Sequence, residues 1–289
     1  MPAAPTRPLL PADGRVAVMA IVNRTPDSFY DRGAAWDPAA ALDTVDRAVA
    51  EGADVIDVGG VKAGPGPGVD VAEELRRVLP TVEAVRARHP DVAISVDTWR
   101  SEVAREVCAA GVDLLNDTWA GVDPHLGEVA AEFGVGIVCS HTGGAVPRTR
   151  PHRVRYADVV ADVIAEVTRQ AEAHERAGVD PSRILVDPTH DFGKNTFHGL
   201  ELLRRLDELV ALGRPVLMAL SNKDFIGETL GTTEVTQRLE GTLAATAVAA
   251  RAGARMFRAH EVAATRRVVD MVSAIRGDLA PVRTVRALA

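Results

Sequence analysis

The chemistry this chain can perform rests on eight side chains, each at or just past the end of an apolar run: Asn23, Asp57, Asp97, Asn116, Asp187, Lys223, Arg258 and His260. Together they supply acceptors, amide donors and cations. That is the inventory for gripping a polar heterocycle on one side and an anion on the other. Arg258 and His260 lie two residues apart in FRAH, so the period of an extended chain sends both to one side, as a joint anion clamp. Three phrases extend the set. NRTPDSFYDRG (23–33) runs straight from an apolar stretch into turn-forming residues, VDPTHDFGK (186–194) adds Phe192 as a wall and Lys194 as a cation, and SNKDFIG (221–227) carries Lys223. Any one polar residue at a strand end has a plain explanation, because Asp, Asn and Ser suit turns. Eight converging on one rim about 10–15 Å wide favour a site.

Such convergence needs elements that deliver one polar end after another. A Gly or Pro punctuator, a run of apolar or β-branched residues and a polar residue recur along the chain, ending at or near Asn23, Asp57, Asp97, Asn116, His141, Asp187, Ser221 and His260. Each reads as a buried parallel strand. Between them, amphipathic stretches at 38–51, 71–88, 101–110, 156–177, 199–212, 234–252 and 261–275 predict helices, most of which stop at Gly52, Gly111, Gly178, Gly213 or Gly253, or before Pro90. Successive polar ends are 19 to 46 residues apart, too far for an antiparallel sandwich. A doubly wound sheet and a (β/α)8 barrel both accept this alternation. The barrel is favoured, since nearly every strand delivers a polar end and no GxGxxG or GxxxxGK[ST] is present.

The 289 residues are 47% hydrophobic and 25% charged, the profile of a folded globular chain. They divide into an N-terminal tail (1–15), one α/β TIM-barrel domain (16–275) and a C-terminal tail (276–289). Lys and Arg number 33 against 40 Asp and Glu, a net charge of -7 that disfavours non-specific nucleic-acid binding. Cys108 and Cys139 form no metal-spaced pair, and neither an export signal nor a membrane-spanning run is visible, so a reducing cytoplasm is the expected location.

The ordered motifs MAIVNRTPDSFYD, ADVIDVGG, ISVDT, LLNDTWAG, ILVDPTHDFGK, ALSNKDFIG and FRAH resemble those of dihydropteroate synthase, over roughly residues 16 to 275. The resemblance implies a homodimeric (β/α)8 barrel that joins 6-hydroxymethyl-7,8-dihydropterin pyrophosphate to p-aminobenzoate and releases pyrophosphate with Mg²⁺ present. It assigns the pterin to Asp97, Asn116, Asp187 and Lys223. The pyrophosphate falls to Asn23, Arg258 and His260, with Asn23 also meeting the metal. No protein nucleophile is implied.

The chain departs from that family where charge matters. GGVKAGPG stands for GGESTRPG, so Ala63 and Gly64 occupy the Thr and Arg positions, preceded by Val61 and Lys62. Asn222 replaces the arginine of Ser-Arg-Lys, Thr189, His190 and Asp191 replace the small Gly-Ile-Gly stretch, and His141-Thr142 replaces His-Met. Two lost charge-assisted bonds of roughly 1.5–3 kcal/mol each weaken binding by about two to four orders of magnitude. The pattern is similar to a divergent second paralogue found in some actinobacteria. Three functions follow as alternatives: an active synthase with a remodelled loop, a degenerate paralogue that binds a pterin or aryl amine without coupling them, and a pterin-dependent methyltransferase. The last is disfavoured because no corrinoid-binding domain is attached.

Overall fold

In the computed structural model, which describes residues 6–25, 36–149 and 155–286, every apolar run expected to be a strand is one. They are β1 (Ala17–Asn23), β2 (Val55–Gly59), β3 (Ala93–Asp97), β4 (Leu114–Asn116), β5 (Gly136–Ser140), β6 (Ile184–Asp187), β7 (Leu217–Met218) and β8 (Met256–Ala259). All pair in parallel, in the order β6-β5-β4-β3-β2-β1-β8-β7. The two ends of that order meet. Val186 bridges Val216 in parallel, and its N–H donates to the Pro215 carbonyl at 3.0 Å. The sheet thus closes into the expected (β/α)8 barrel. Its seam is thin because Pro215, just before β7, has no N–H to give to the ladder. Most of the 23–33 phrase lies outside the described residues; Asn23, Arg24 and Thr25 are within them.

The helices are α1 (Pro38–Ala50), α2 (Val71–Arg88), α3 (Ser101–Ala109), α4 (Leu126–Phe133), α5 (Val159–Ala177), α6 (Thr196–Arg204), α7 (Leu206–Val210), α8 (Asp224–Leu230), α9 (Leu239–Ala252) and α10 (Val262–Arg276). Local capping explains several starts. Asp37 accepts from Ala39 N and Ala40 N with Pro38 in the first turn, Asp70 accepts from Glu73 N, and Asp158 accepts from Val160 N and Ala161 N. The expected helix at 199–212 is two, broken at Arg205, and α9 starts later than the 234 expected. Two helices, α4 and α8, are additions to the sequence reading. Each spans about two turns, too little for apolar periodicity to register.

Two apolar layers hold the barrel. Outward-facing Val18, Ile56, Ile94, Leu115, Ile137 and Ile184 pack against helix residues such as Val45, Val78, Val103 and Val163 in one continuous core. Inward-facing Met19, Val55, Leu114, Val138, Leu185, Leu217 and Met256 fill the floor, together with Leu9 from the segment before β1. At about 1.5–3 kcal/mol for each such side chain, this burial is the main stabilising term. The segment carries no helix or strand, yet it seals the lower end. Arg7 N donates to Asp113 at 2.7 Å, and Leu9 lies so close to Gly136 that a Cβ there would sit 2.6 Å from its Cδ1. No described helix is long and apolar enough to cross a membrane.

Candidate functional site

Alternation carries each inward strand from an apolar floor to a polar mouth: Val55 to Asp57, Ala93 to Ser95 and Asp97, Leu114 to Asn116, Leu185 to Asp187, Met256 to Arg258. Register places Asn23 beside Gly59, Gly59 beside Asp97, and Asp97 beside Asn116. Gly59 leaves room between its neighbours, since a Cβ there would lie 3.6 Å from Asn23 Oδ1 and 3.7 Å from Asp97 Cβ. The structure therefore brings together the residues expected to share the mouth.

At the centre is an ion network. Arg258 donates through Nε to Asp57 at 2.7 Å and through a terminal nitrogen to Asp97 at 3.3 Å. Asp57, fully buried, also accepts from Ser95 Oγ at 2.6 Å and faces the Asn116 amide at 3.4 Å. Thr118 Oγ1 donates to Asp97 at 3.0 Å. Burial pushes the Asp97 carboxyl up to about 7, with Arg258 pulling the other way and Asp57 adding to the rise. Burial also works against the Arg258 charge, but Asp57 and Asp97 outweigh it and hold its pKa above the ordinary value. Ser95 and Thr118 were missed from sequence. Ser95 lies two residues before Asp97, so alternation could have found it.

Across the mouth, Asp187 and Lys223 face each other's charge. Burial raises the Asp187 pKa while the Thr189 N–H at 2.7 Å and Lys223 lower it, and burial lowers the Lys223 pKa while Asp191 and Asp187 raise it. Lys223 Nζ sits 4.7 Å over the Phe192 ring. From there an aromatic wall runs through Trp119, at 5.1 Å from Phe192, to Trp99 at 6.3 Å. The His260 imidazole is pushed down to about 3 by burial and by Arg258 and Lys223, so it is neutral near pH 7. That refines the expected anion clamp: Arg258 is charged but balanced by two carboxylates, and His260 offers hydrogen bonds without charge.

The positions that depart from the family pattern are built into the scaffold. Thr189 and Asp191 adopt φ of 55° and 68°, and Gly193 follows at 59°. A Cβ at Gly193 would run into the Thr142 carbonyl, so only glycine fits there. Thr189 is held by its own hydroxyl, which donates to Asp187 O at 2.9 Å and accepts from His141 N at 3.1 Å. Lys194 Nζ donates to the carbonyls of His141, Thr189 and Phe192. His190 is buried against Phe225 and faces the Gly199 carbonyl at 3.2 Å. Asn222, at φ 55°, turns its amide to Glu261 at 3.0 Å, its N–H donating to Thr242 Oγ1 at 3.1 Å.

The 61–70 loop, with Lys62, Ala63 and Gly64, follows β2, and three guanidinium groups pin it and the Gly60 that leads into it. Arg77 bonds Gly60 O at 2.9 Å, Arg100 bonds Val69 O at 2.6 Å, and Arg148 reaches from the β5–α5 loop to Pro67 O at 2.6 Å. Gly64 has room for a Cβ, which would meet Lys62 Cε at 3.8 Å, an ordinary contact. Among the described residues, no group of three or more His, Cys, Asp or Glu side chains could hold a metal ion. A divalent cation at this mouth would therefore depend on a single side-chain oxygen such as Asn23 Oδ1 plus oxygens brought by the ligand, a donor set that suits Mg²⁺.

A family model described as "Pterin binding enzyme" matches residues 19–260. The chain is 65% identical over 282 residues to "Inactive dihydropteroate synthase 2" of Mycobacterium leprae, covering 96% of this chain and 97% of that protein. It is 39% identical over 264 residues to the dihydropteroate synthase of Streptococcus pyogenes, covering 90% and 96%. Among solved structures, the dihydropteroate synthase of Xanthomonas albilineans in complex with 7,8-dihydropteroate superposes with a TM-score of 0.80 at 39% identity, over 92% of this chain and 95% of that one.

Proposed function

Because this chain belongs to the family of pterin-binding enzymes, we propose that it is a dihydropteroate synthase-type protein that takes a pterin into the barrel mouth and has a degraded ability to couple it to p-aminobenzoate. One observation carries this reading. Asp97, Asn116, Asp187 and Lys223 converge on the mouth, while Ala63, Gly64 and Asn222 bring no cation to it. The acids and the amide suit the donor-rich edge of a pterin, and the aromatic wall suits its flat ring.

In the coupling reaction, the C–O bond of the pterin methylene breaks and its electron pair leaves with pyrophosphate. The amine of p-aminobenzoate then donates its lone pair to the methylene carbon and loses a proton. Asp57 and Asp97 stabilise positive charge developing on the pterin, and Arg258 and His260 supply donors to the departing anion. Mg²⁺, held by Asn23 Oδ1 and pyrophosphate oxygens, would offset the leaving group's charge. Arg258 comes to that task already balanced by two carboxylates, which leaves the anion side short of net positive charge.

A second reading, a fully active synthase, is favoured by the presence of Asn23, Arg258 and His260. Calorimetry with 6-hydroxymethyl-7,8-dihydropterin pyrophosphate and a coupling assay, both with Mg²⁺, separate the two. Saturable pterin binding with turnover far below an active family member is the expected result. Turnover at that member's rate would overturn the degenerate reading, and absence of pterin binding would overturn both.

The protein is further proposed to form a homodimer in a reducing cytoplasm. Phe197 on α6 and Leu230 on α8 are 79% and 55% exposed, more apolar surface than solvent favours. Sedimentation of the wild type beside Phe197→Glu tests the dimer.

A further inference from the structure

Lysine is scarce in this chain. Of its 33 Lys and Arg side chains only three, Lys62, Lys194 and Lys223, are lysines, and each lies on a loop that follows a barrel strand, β2, β6 or β7. Arginine is used everywhere else. A guanidinium donates in a plane, whereas an ammonium is a compact head with three rotatable donors, so the points that keep lysine suit the second geometry.

Lys194 shows what that geometry does. Its Nζ donates to the carbonyls of His141 at 2.7 Å, Phe192 at 3.0 Å and Thr189 at 3.1 Å, three acceptors for three N–H groups. The residue is 9% exposed. Two of the carbonyls belong to the β6–α6 loop and the third to the β5–α5 loop, so one ammonium ties two loops together. Left-handed backbone at Thr189, Asp191 and Gly193 gives the β6–α6 loop the sharp bends that bring Thr189 O and Phe192 O to one point. With all three N–H groups engaged, Lys194 has none to give a ligand.

The segment it holds serves the mouth at two places. Thr189 N–H donates to Asp187 at 2.7 Å, and the Phe192 ring lies 4.7 Å from Lys223 Nζ. Trp119 meets the same ring at 5.1 Å. We infer that Lys194 is a positioning residue for the pterin: through Thr189 and Phe192 it fixes the acid and the cation, Asp187 and Lys223, that face each other across the mouth. The inference rests on the pterin-binding reading above.

The test is calorimetry with 6-hydroxymethyl-7,8-dihydropterin pyrophosphate and Mg²⁺ at pH 6.5, where Lys194 is protonated, on the wild type, Lys194→Ala and Lys194→Met. Urea unfolding follows the stability of each. Both substitutions should weaken pterin binding about tenfold or more. Propylammonium supplies the arm deleted in Lys194→Ala and should recover most of the loss there. The uncharged 1-propanol should not, and neither compound should act on Lys194→Met, whose side chain fills the space. A lysine that only stabilised the fold would lower the unfolding midpoint and leave the affinity of the folded protein unchanged. That outcome, absence of recovery by propylammonium, or equal recovery by 1-propanol overturns the inference. A wild type that binds no pterin overturns instead the reading beneath it. Because the chain has three lysines, ¹³C-lysine labelling adds a measurement on the wild type. The Lys194 side chain should be as rigid as the backbone in the pterin complex, and a mobile one overturns the inference even if neither variant folds.

Discussion

The carboxylate of Asp191 accepts the backbone N–H of Asp224 at 2.6 Å, capping α8 from a different loop of the barrel. Its second oxygen accepts from Phe225 N at 3.3 Å, and no side chain adjoining α8 does this work. Asp191→Ala removes the cap and leaves a Cβ-bearing residue at φ 68° without the local bonding that lets Asp tolerate it. A loss of about 2 kcal/mol is expected in urea unfolding with an unchanged slope, and about 1 kcal/mol or less for Asp191→Asn.

Burial pushes the ligand-free Asp97 carboxyl up to about 7, and binding a donor-rich ring requires its ionised form. Below that pH, binding must expel a proton, so pterin affinity should rise from about pH 5 to about pH 7 and level off above it. Calorimetry in two buffers of different ionisation enthalpy should detect proton release below pH 7. For stability the sign is opposite. The folded state holds a proton that the unfolded chain has lost, so Asp97's contribution is full below its unfolded pKa of 3.8 and is lost as pH rises through about 7. Asp97→Asn should flatten both trends.

Restoring the family's charges will not be equally easy at each position. A Cβ at Gly64 meets only an ordinary contact with Lys62, and Gly64→Arg should change stability by no more than about 0.5 kcal/mol. Asn222 is buried at φ 55° beside the Arg238 guanidinium, which donates to its carbonyl at 2.9 Å. Asn222→Arg should cost about 3 kcal/mol or more, read by thermal or urea unfolding. The productive graft is Ala63→Thr with Gly64→Arg, assayed for a gain in coupling.

Arg148 joins the β5–α5 loop to the 61–70 loop at the cost of a left-handed backbone, φ 62°. Arg148→Ala should release the 61–70 loop while leaving the barrel untouched. Hydrogen exchange at Lys62–Asp70 should quicken, with exchange in β1 to β6 unchanged; equal protection in both proteins would show that Arg77 and Arg100 suffice.

How far the sequence was legible follows from the range of the forces involved. Strand alternation and glycine stops are local, so the inward positions of Asp57, Asp97, Asn116 and Arg258 could be read directly from residue order. Orientation is set by distant partners. Nothing near FRAH announces that Arg258 bonds Asp57, 201 residues away, or that Asn222 bonds Glu261 in place of facing a ligand. The helix α8 is too short for periodicity to show, and the start signal that could have marked it comes from distant Asp191. Residue order shows Thr189, His190 and Asp191 only as replacements for a small Gly-Ile-Gly stretch; in the fold they make the bonds that fix the loop.

The plug at the lower end of the barrel imposes an order on synthesis. Arg7 and Leu9 are made before their partners Asp113, Gly136 and Arg183, with Arg183 bonding the Arg7 carbonyl across 176 residues. Arg7 and Leu9 must therefore wait, unsheltered, until the segment leading into β6 is at hand. A nascent chain stalled before residue 183 carries an exposed leucine where the finished protein has a sealed floor.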